Sequence, residues 1–335
     1  MPTTRVDGSI RSISEAVEKV GALRRTPFVK GGDWRFYKFP FGIWFRGHGR
    51  KGLPLIPRVH RQERVIPIRK RQDRLEENEK QKGEWDETNV FEHLRVRAPG
   101  RQDVRRSAFD WLCLMQHYSV PTRLLDWSES ILPALYFAVR DCPDTTGELI
   151  VLNAGQLNRD ERNRPTLSPP DEGPVVVRSE MAWTRSATKL RRRKTVAAAL
   201  EEMGLAGLGD DWLERFRTPL AVFPSRFNDR MVFQASVFTL HGGKTYPEGM
   251  QRFYVDEMIP PPVTIDDLDR KNRGDRLLRR FLIAPRAKRK ILHDLSLLGI
   301  HEGTLFPEID RQAVYLEDLW WYPRRTARRR RRTLV

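Results

Sequence analysis

Val120-Pro121 constrains this chain more than any other dipeptide in it. Upstream, residues 102–118 carry helical spacing, with Phe109, Leu112, Met115 and Gln116 along one side. The residue before a proline avoids helical geometry, so that helix has to stop here. Downstream, Thr122–Trp127 reads as an extended segment. Ile131–Arg140 reads as a second helix, with Ser128 or Ser130 to cap it and Pro133 tolerated in its first turn. A short strand is thus held between two helices.

The remaining elements are interspersed rather than strictly alternating. Residues 8–24 have helical spacing through Ile10, Ile13, Val17 and Val20, with Ser12 or Ser14 as the cap. Ile43–Phe45 reads as a short buried strand ending at Arg46-Gly47, and 148–152 as a clear strand. Further strands are expected over 219–224, 231–240 and 281–284. Pro285 and Gly299 bracket a helix whose apolar face holds Ile291, Leu292, Leu295 and Leu298. A last helix is expected over 308–319. Without a βαβ rhythm the fold class is α+β, a mixed and largely antiparallel central sheet flanked by helices. Residues 1–320 are read as one domain with a helical N-terminal segment. The polar stretch near 69–92 is expected to be an exposed helix or an excursion from the core, and 321–335 an arginine-rich tail.

No run approaches the roughly 20 apolar residues that span a bilayer, and the N-terminus lacks the basic-then-apolar pattern of a secretory signal. A cytoplasmic protein without membrane contact is the expectation. Cys113 and Cys142 form no CxxC pair, no Cys/His spacing matches a metal site, and two buried thiols are expected. The net charge of +17 points to an anionic partner. Seven of the last thirteen residues are arginine: Arg324, Arg325, Arg328, Arg329, Arg330, Arg331 and Arg332. Such a tail is either a solvated end or a phosphate-backbone contact to nucleic acid, and its lack of aromatics argues against base reading. Basic runs also occur at 69–74 and 189–194.

Three constellations carry candidate chemistry. Arg46-Gly47 ends a strand, where a guanidinium fork can meet a phosphate while the glycine turns the chain; alone, it equally suits a surface arginine beside a turn. In the stretch 117–130, HYSVPTRLLDWSES, Arg123 and Asp126 bracket two leucines and read as an ion pair closing a turn. His117 beside them is a general base or a satisfied core histidine. In 226–238, RFNDRMVFQASVF, Gln234 sits mid-strand, and its carboxamide must find partners in the core or face a cleft.

Taken together, Arg46-Gly47 after Phe45, the block PTRLLDWSESILPALYFAV, then Arg226, Arg230 and Gln234, then Phe306-Pro307 resemble the bacterial FRG domain family over about residues 10–320. The motif order is similar to that of the ADP-ribosyltransferase fold, and that resemblance implies NAD as a substrate. On it, Arg46 and Gly47, with Arg226 and Arg230, would hold the NAD phosphates or ribose. Thr122 would shape the nicotinamide pocket, and Gln234 would stand where those enzymes carry a glutamate. Thr122 and His117 would face the cleft shared by Arg46 and Gln234. A neutral amide stabilises positive charge poorly, so Asp126 or Glu129 would have to help, or the fold would only bind. The family resemblance also implies a toxin or phage-defence role, which leaves an antitoxin or chaperone partner open, and the motif order together with the basic tail points to modification of nucleic acid or a nucleic-acid-associated target. The alternative is a non-catalytic module for nucleic acid or nucleotide. Hydrolysis through His117 and Asp126 ranks last, since no nucleophile or metal cluster supports it.

Overall fold

The computed structural model describes residues 5–26, 28, 42–61, 64–69, 75–83, 87–97, 107–158, 217–242, 262–271 and 276–320. The basic run at 189–194, most of that at 69–74 and the tail 321–335 lie outside these residues. Seven strands form one mixed sheet in the order β1-β9-β6-β2-β5-β8-β7. They are β1 (Gly8–Ile10), β2 (Ile43–His48), β5 (Leu124–Ser128), β6 (Gly147–Asn153), β7 (Leu220–Val222), β8 (Ser236–Leu240) and β9 (Leu278–Ile283). β1 runs parallel to β9, and all other pairings are antiparallel. β3 (Arg64–Arg69) and β4 (Leu75–Gly83) pair separately as two strands.

The helices are α1 (Ile13–Ala22), α2 (Glu87–Arg97), α3 (Ala108–His117), α4 (Ile131–Val139), α5 (Ala154–Leu157), α6 (Asp229–Phe233), α7 (Ile265–Lys271), α8 (Pro285–Leu297), α9 (Glu302–Leu305) and α10 (Ile309–Trp320). No helix of the described residues is long and apolar enough to cross a membrane. The α+β class read from the sequence is the one observed.

Strand alternation divides the core. Ile43, Phe45, Leu149, Val151, Phe281 and Ile283 pack with α1, α4 and α8 in one cluster. Trp44, Leu125, Trp127, Ile150, Leu152 and Leu278 belong to another. α2 and α3 bury Phe91, Phe109, Leu112 and Met115 against Leu124, Leu240 and Phe238 in a third. A side-chain period of two puts neighbours such as Leu124 and Leu125 in different clusters.

α4 lies unusually close to the sheet. A Cβ on Gly47 would sit 1.9 Å from the Ala134 carbonyl oxygen, and one on Gly147 2.4 Å from that of Ala138. Gly47 therefore does not turn the chain, as its sequence context suggests. It lies inside β2, which runs on to His48, and its missing side chain makes room for the helix.

Three further expectations change. The 8–24 segment opens with β1, and α1 starts after Ser12, whose side chain accepts from the Glu15 amide. Residues 69–92 are not one helix: β4 occupies 75–83 and α2 begins at Glu87. The expected strand over 231–240 starts only at Ser236. Asn228 caps α6 by accepting from the Met231 amide, and the helix continues to Phe233. Ala235 then turns with φ 46°, a left-handed geometry that costs a non-glycine residue about 1–2 kcal/mol. Two bonds hold the turn: Glu129 N–H donates to the Ala235 carbonyl, and Ser128 Oγ to that of Gln234. Cys113 is buried, as expected, whereas Cys142 is only partly so.

Candidate functional site

β2 and β5 are joined at a single register position, Phe45 opposite Ser128. Beyond it a cleft of about 460 Å³ opens, lined by Arg46–Gly49 on one side and Leu124–Ser128 on the other. Residues of both strand parities line it, because no ladder closes the sheet there. An unpaired strand carbonyl needs a donor. Arg46 Nη1 supplies one to the main-chain oxygen of Asp126 and stands 3.8 Å from that residue's carboxylate.

The Asp126 carboxylate is itself oriented. Gln116, at the end of α3, donates from Nε2 to Oδ1 at 3.1 Å and Oδ2 at 3.0 Å. Gln116 is fixed in turn by Thr122, whose hydroxyl donates to Oε1 at 2.6 Å while accepting from the Leu124 amide at 3.2 Å. Thr122 is fully buried and does not line the cleft. It acts at two removes, through Gln116 and Asp126.

The cleft is cationic. Arg46, Arg58, Arg61 and Arg230 line it against Asp126 and Asp141. Arg58 and Arg61 each use one nitrogen on a main-chain carbonyl, of Ser119 and Ile56 respectively. Burial lowers the Arg46 pKa to about 10 against the opposing pull of Asp126, and burial also lowers those of Arg61 and Arg230. Desolvated guanidiniums of this kind are poised to gain from an incoming anion. Arg230 packs its guanidinium 4.6 Å from the Phe306 ring centroid, with Glu308 3.8 Å from Nη1. His48 also lines the cleft and is almost fully buried. Burial, reinforced by Arg46, Arg280 and Arg61, takes its pKa down to about 2.

Of the residues singled out in the sequence, the cleft gathers Arg46, Gly47, Asp126, Arg230 and Gln234. Gln234 is not mid-strand but at the C-cap of α6, and its Nε2 donates to the Leu305 carbonyl at 2.9 Å. Besides Thr122, three others lie elsewhere. His117 ends α3, with Nδ1 3.7 Å from Glu308. Arg226 forms an ion pair with Glu129, tying the loop before α6 to the β5–α4 turn. Arg123 does not pair with Asp126. It turns inward to Glu87, with Nε and Nη2 at 3.0 and 2.7 Å from one carboxylate oxygen, in a fully buried bridge. Successive strand residues point to opposite faces, but Arg123 and Asp126 are three apart on a segment that straightens into β5, so their side chains diverge. Gln116, His48, Arg58 and Arg61 were not identified as site residues from the sequence. The signal for His48 was its place two residues beyond Arg46, hence of the same parity, once β2 is allowed to run on.

Residues 42–146 match the family model described as the FRG domain. The match takes in β2, α3, β5 and α4, which build most of the cleft. No curated protein and no solved structure matches the chain.

Proposed function

We propose that this chain, a member of the FRG domain family, binds a phosphorylated nucleotide in the cleft between β2 and β5 and uses NAD there as an ADP-ribosyl donor. The observation that carries the reading is the convergence of Arg46, Arg58, Arg61 and Arg230, from three separate segments, on one volume of about 460 Å³. That volume lies in the range of small-molecule sites, and arginine forks suit phosphate oxygens. In this reading the C1′–N1 bond of NAD breaks and nicotinamide leaves with the bonding pair. The acceptor's lone pair forms the new bond to C1′, and its proton passes to the Asp126 carboxylate. Asp126, aimed by Gln116, supplies the negative charge that Gln234 lacks.

The test is incubation with labelled NAD and mixed DNA, RNA and protein, following nicotinamide release and label transfer. The expected outcome is release by the wild type, none by Arg46→Ala, and binding without release by Asp126→Asn. Equal behaviour of wild type and Arg46→Ala ends the transferase reading. One observation favours a second reading, a non-catalytic nucleotide-binding module: the Gln234 amide is committed to the Leu305 carbonyl. NAD binding with no release by the wild type selects it. The acceptor in our reading is nucleic acid or a protein bound to it, with the arginine tail as backbone contact. Deleting 324–335 then weakens nucleic-acid binding and flattens its salt dependence; an unchanged slope removes the tail from the interaction.

A further inference from the structure

α8 carries its charge on one side. Arg286, Arg289, Lys290 and His293 are exposed, whereas Ala287, Lys288, Ile291 and Leu295 are buried. Successive helix residues are about 100° apart, so the four exposed positions share one stripe about 100° wide. Asp294 is the helix's only acid, and it flanks the stripe 3.6 Å from Nδ1 of His293. Among the described residues no carboxylate lies within ion-pair distance of Arg286, Arg289 or Lys290. Arg286 and Lys290, four apart, repel each other. The first turn, where a helix favours negative charge, holds no acid. A merely solvated helix face alternates its signs. This one is opposed by its own charge and gains from an anion outside the chain.

Lys288 fixes where the stripe lies. It is 2% exposed, and its ammonium donates to the main-chain oxygens of Gly49 at 2.7 Å, Asp141 at 3.1 Å and Cys142 at 2.9 Å. Gly49 and Asp141 line the cleft. The first turn of α8 is therefore tied to the cleft rim, and Arg289 follows directly. Beside Gly49 stand Arg50, whose Nε donates to Cys142 Sγ at 3.3 Å, and the exposed Lys51. The acids of the turn between α4 and β6 are Asp141 and Asp144, and Arg140 Nε stands 3.4 Å from Asp141.

We propose that the exposed stripe of α8, with Arg50 and Lys51, seats a nucleic-acid backbone and leads the acceptor to the cleft. This rests on the reading of nucleic acid as the acceptor. From Arg286 to His293 the helix rises about 10 Å, over which one strand of a duplex passes about three phosphates. Contacts to phosphate position a strand without reading its bases, so the seat is independent of sequence. A membrane surface fits less well. A helix lying on lipid needs a free apolar face, and that of α8 is spent on the core through Ile291 and Leu295. Leu297 and Leu298, at its far end, are the exposed apolar residues that remain.

The test titrates the full chain with a fluorescent DNA duplex, and with an RNA duplex of the same sequence, across about 50–200 mM salt. One variant combines Arg286→Gln, Arg289→Gln and Lys290→Gln. A second combines Arg25→Gln, Arg97→Gln and Lys271→Gln, exposed cations on other elements, and removes the same charge. The stripe variant is expected to bind more than about tenfold more weakly and to reduce the slope of log affinity against log salt by about 2–3, while the second variant changes the slope by less than about 1. Equal losses in the two variants reduce the stripe to net charge and overturn the proposal. An unchanged slope in the stripe variant also overturns it. Should that variant fail to fold, Arg289→Gln alone decides, with a slope change of about 1 against none. Vesicles of phosphatidylserine and phosphatidylcholine that bind more tightly than either duplex, through the same three residues, assign the stripe to a membrane and overturn it. A wild type that releases nicotinamide from NAD yet binds no duplex overturns this seat and leaves the cleft reading standing. A stripe-dependent slope without any NAD chemistry supports the seat and removes the transferase.

Discussion

Arg46 hydrogen-bonds the main-chain carbonyl of Asp126, on the neighbouring strand, just past the point where β2 and β5 stop pairing. A side chain has taken over a bond that backbone makes elsewhere in the sheet. The wall of the cleft and its central charge therefore depend on the same residue. Arg46→Lys retains the charge but cannot reach both Asp126 and His48, to whose Nε2 Arg46 Nε donates at 2.9 Å. We expect it to weaken NAD binding about tenfold and to cost about 1–3 kcal/mol of stability, read by calorimetric titration and urea unfolding. Full retention of both would show that only the charge matters.

Gly47→Ala tests the close approach of α4. The added Cβ would meet the Ala134 carbonyl at 1.9 Å and the Ala138 amide nitrogen at 2.5 Å. Both are helix backbone and cannot swing aside, so the loss should reach or exceed the upper end of the ~1–3 kcal/mol typical of overpacking. A melting temperature within 2 °C of wild type, an interval worth about 1 kcal/mol for a chain this size, would contradict it.

Thr122→Val removes a hydroxyl of the fully buried residue that supports Gln116 and receives the Leu124 amide. The expected stability loss is about 1–3 kcal/mol, because the amide is left unpaired in the core. Turnover should fall more than NAD affinity, since Thr122 reaches the cleft only through the aim of Asp126. Thr122→Ser should restore both, and equal losses in binding and turnover would place Thr122 in ligand contact instead.

The buried Arg123–Glu87 bridge calls for a double-mutant cycle. Arg123→Met alone strands a carboxylate in the core and should cost about 3–5 kcal/mol. Adding Glu87→Met should recover part of that loss, since the pair's desolvation penalty disappears with it. Additive losses in urea unfolding would mean the two charges are not coupled.

His48, His60 and His241 give the stability a pH dependence of definite sign. Burial is the leading cause in each: the folded pKa values fall to about 2 for His48, about 3 for His60 and well below the ordinary value for His241. The unfolded chain takes up protons near pH 6.5, which the folded chain refuses. The stabilisation is whole above about 6.5 and is lost as the pH falls, by up to roughly 1.4 kcal/mol per pH unit for each histidine. Urea midpoints should drop between pH 7.5 and 5, and the slope should flatten in His60→Gln. A midpoint that rises on acidification would refute the assignment.

Much of this was legible because it is local. Val120-Pro121 ends α3, Pro285 and Gly299 bracket α8, and the apolar run at 149–152 becomes β6 with no partner needed to recognise it. Motif order brings Arg46 and Gln234 together, though the run around Gln234 reads as strand and is helical as far as Phe233. Only Asn228, the cap, marks 229–233 as helical. What could not be read is pairing over distance. Glu87 sits in a polar stretch that resembles a solvated face, and nothing near it announces Arg123, 36 positions away. The Gln116 relay is hidden in the same way, since the spacing that puts it on α3 says nothing of the carboxylate beyond the helix end.

The parallel pairing of β1 with β9 has a consequence for how the protein is made. Asp7 and Arg280, joined by a hydrogen bond at this edge, are 273 positions apart in sequence. On a ribosome adding about 5–20 residues per second, the N-terminal strand waits at least on the order of ten seconds for the strand it lies against. During that interval β6, which β9 later covers, presents an open edge of seven residues with every one destined for burial. Nascent chains that stall before residue 278 are therefore the species most exposed to edge-to-edge aggregation, and a holding chaperone has its greatest purchase there.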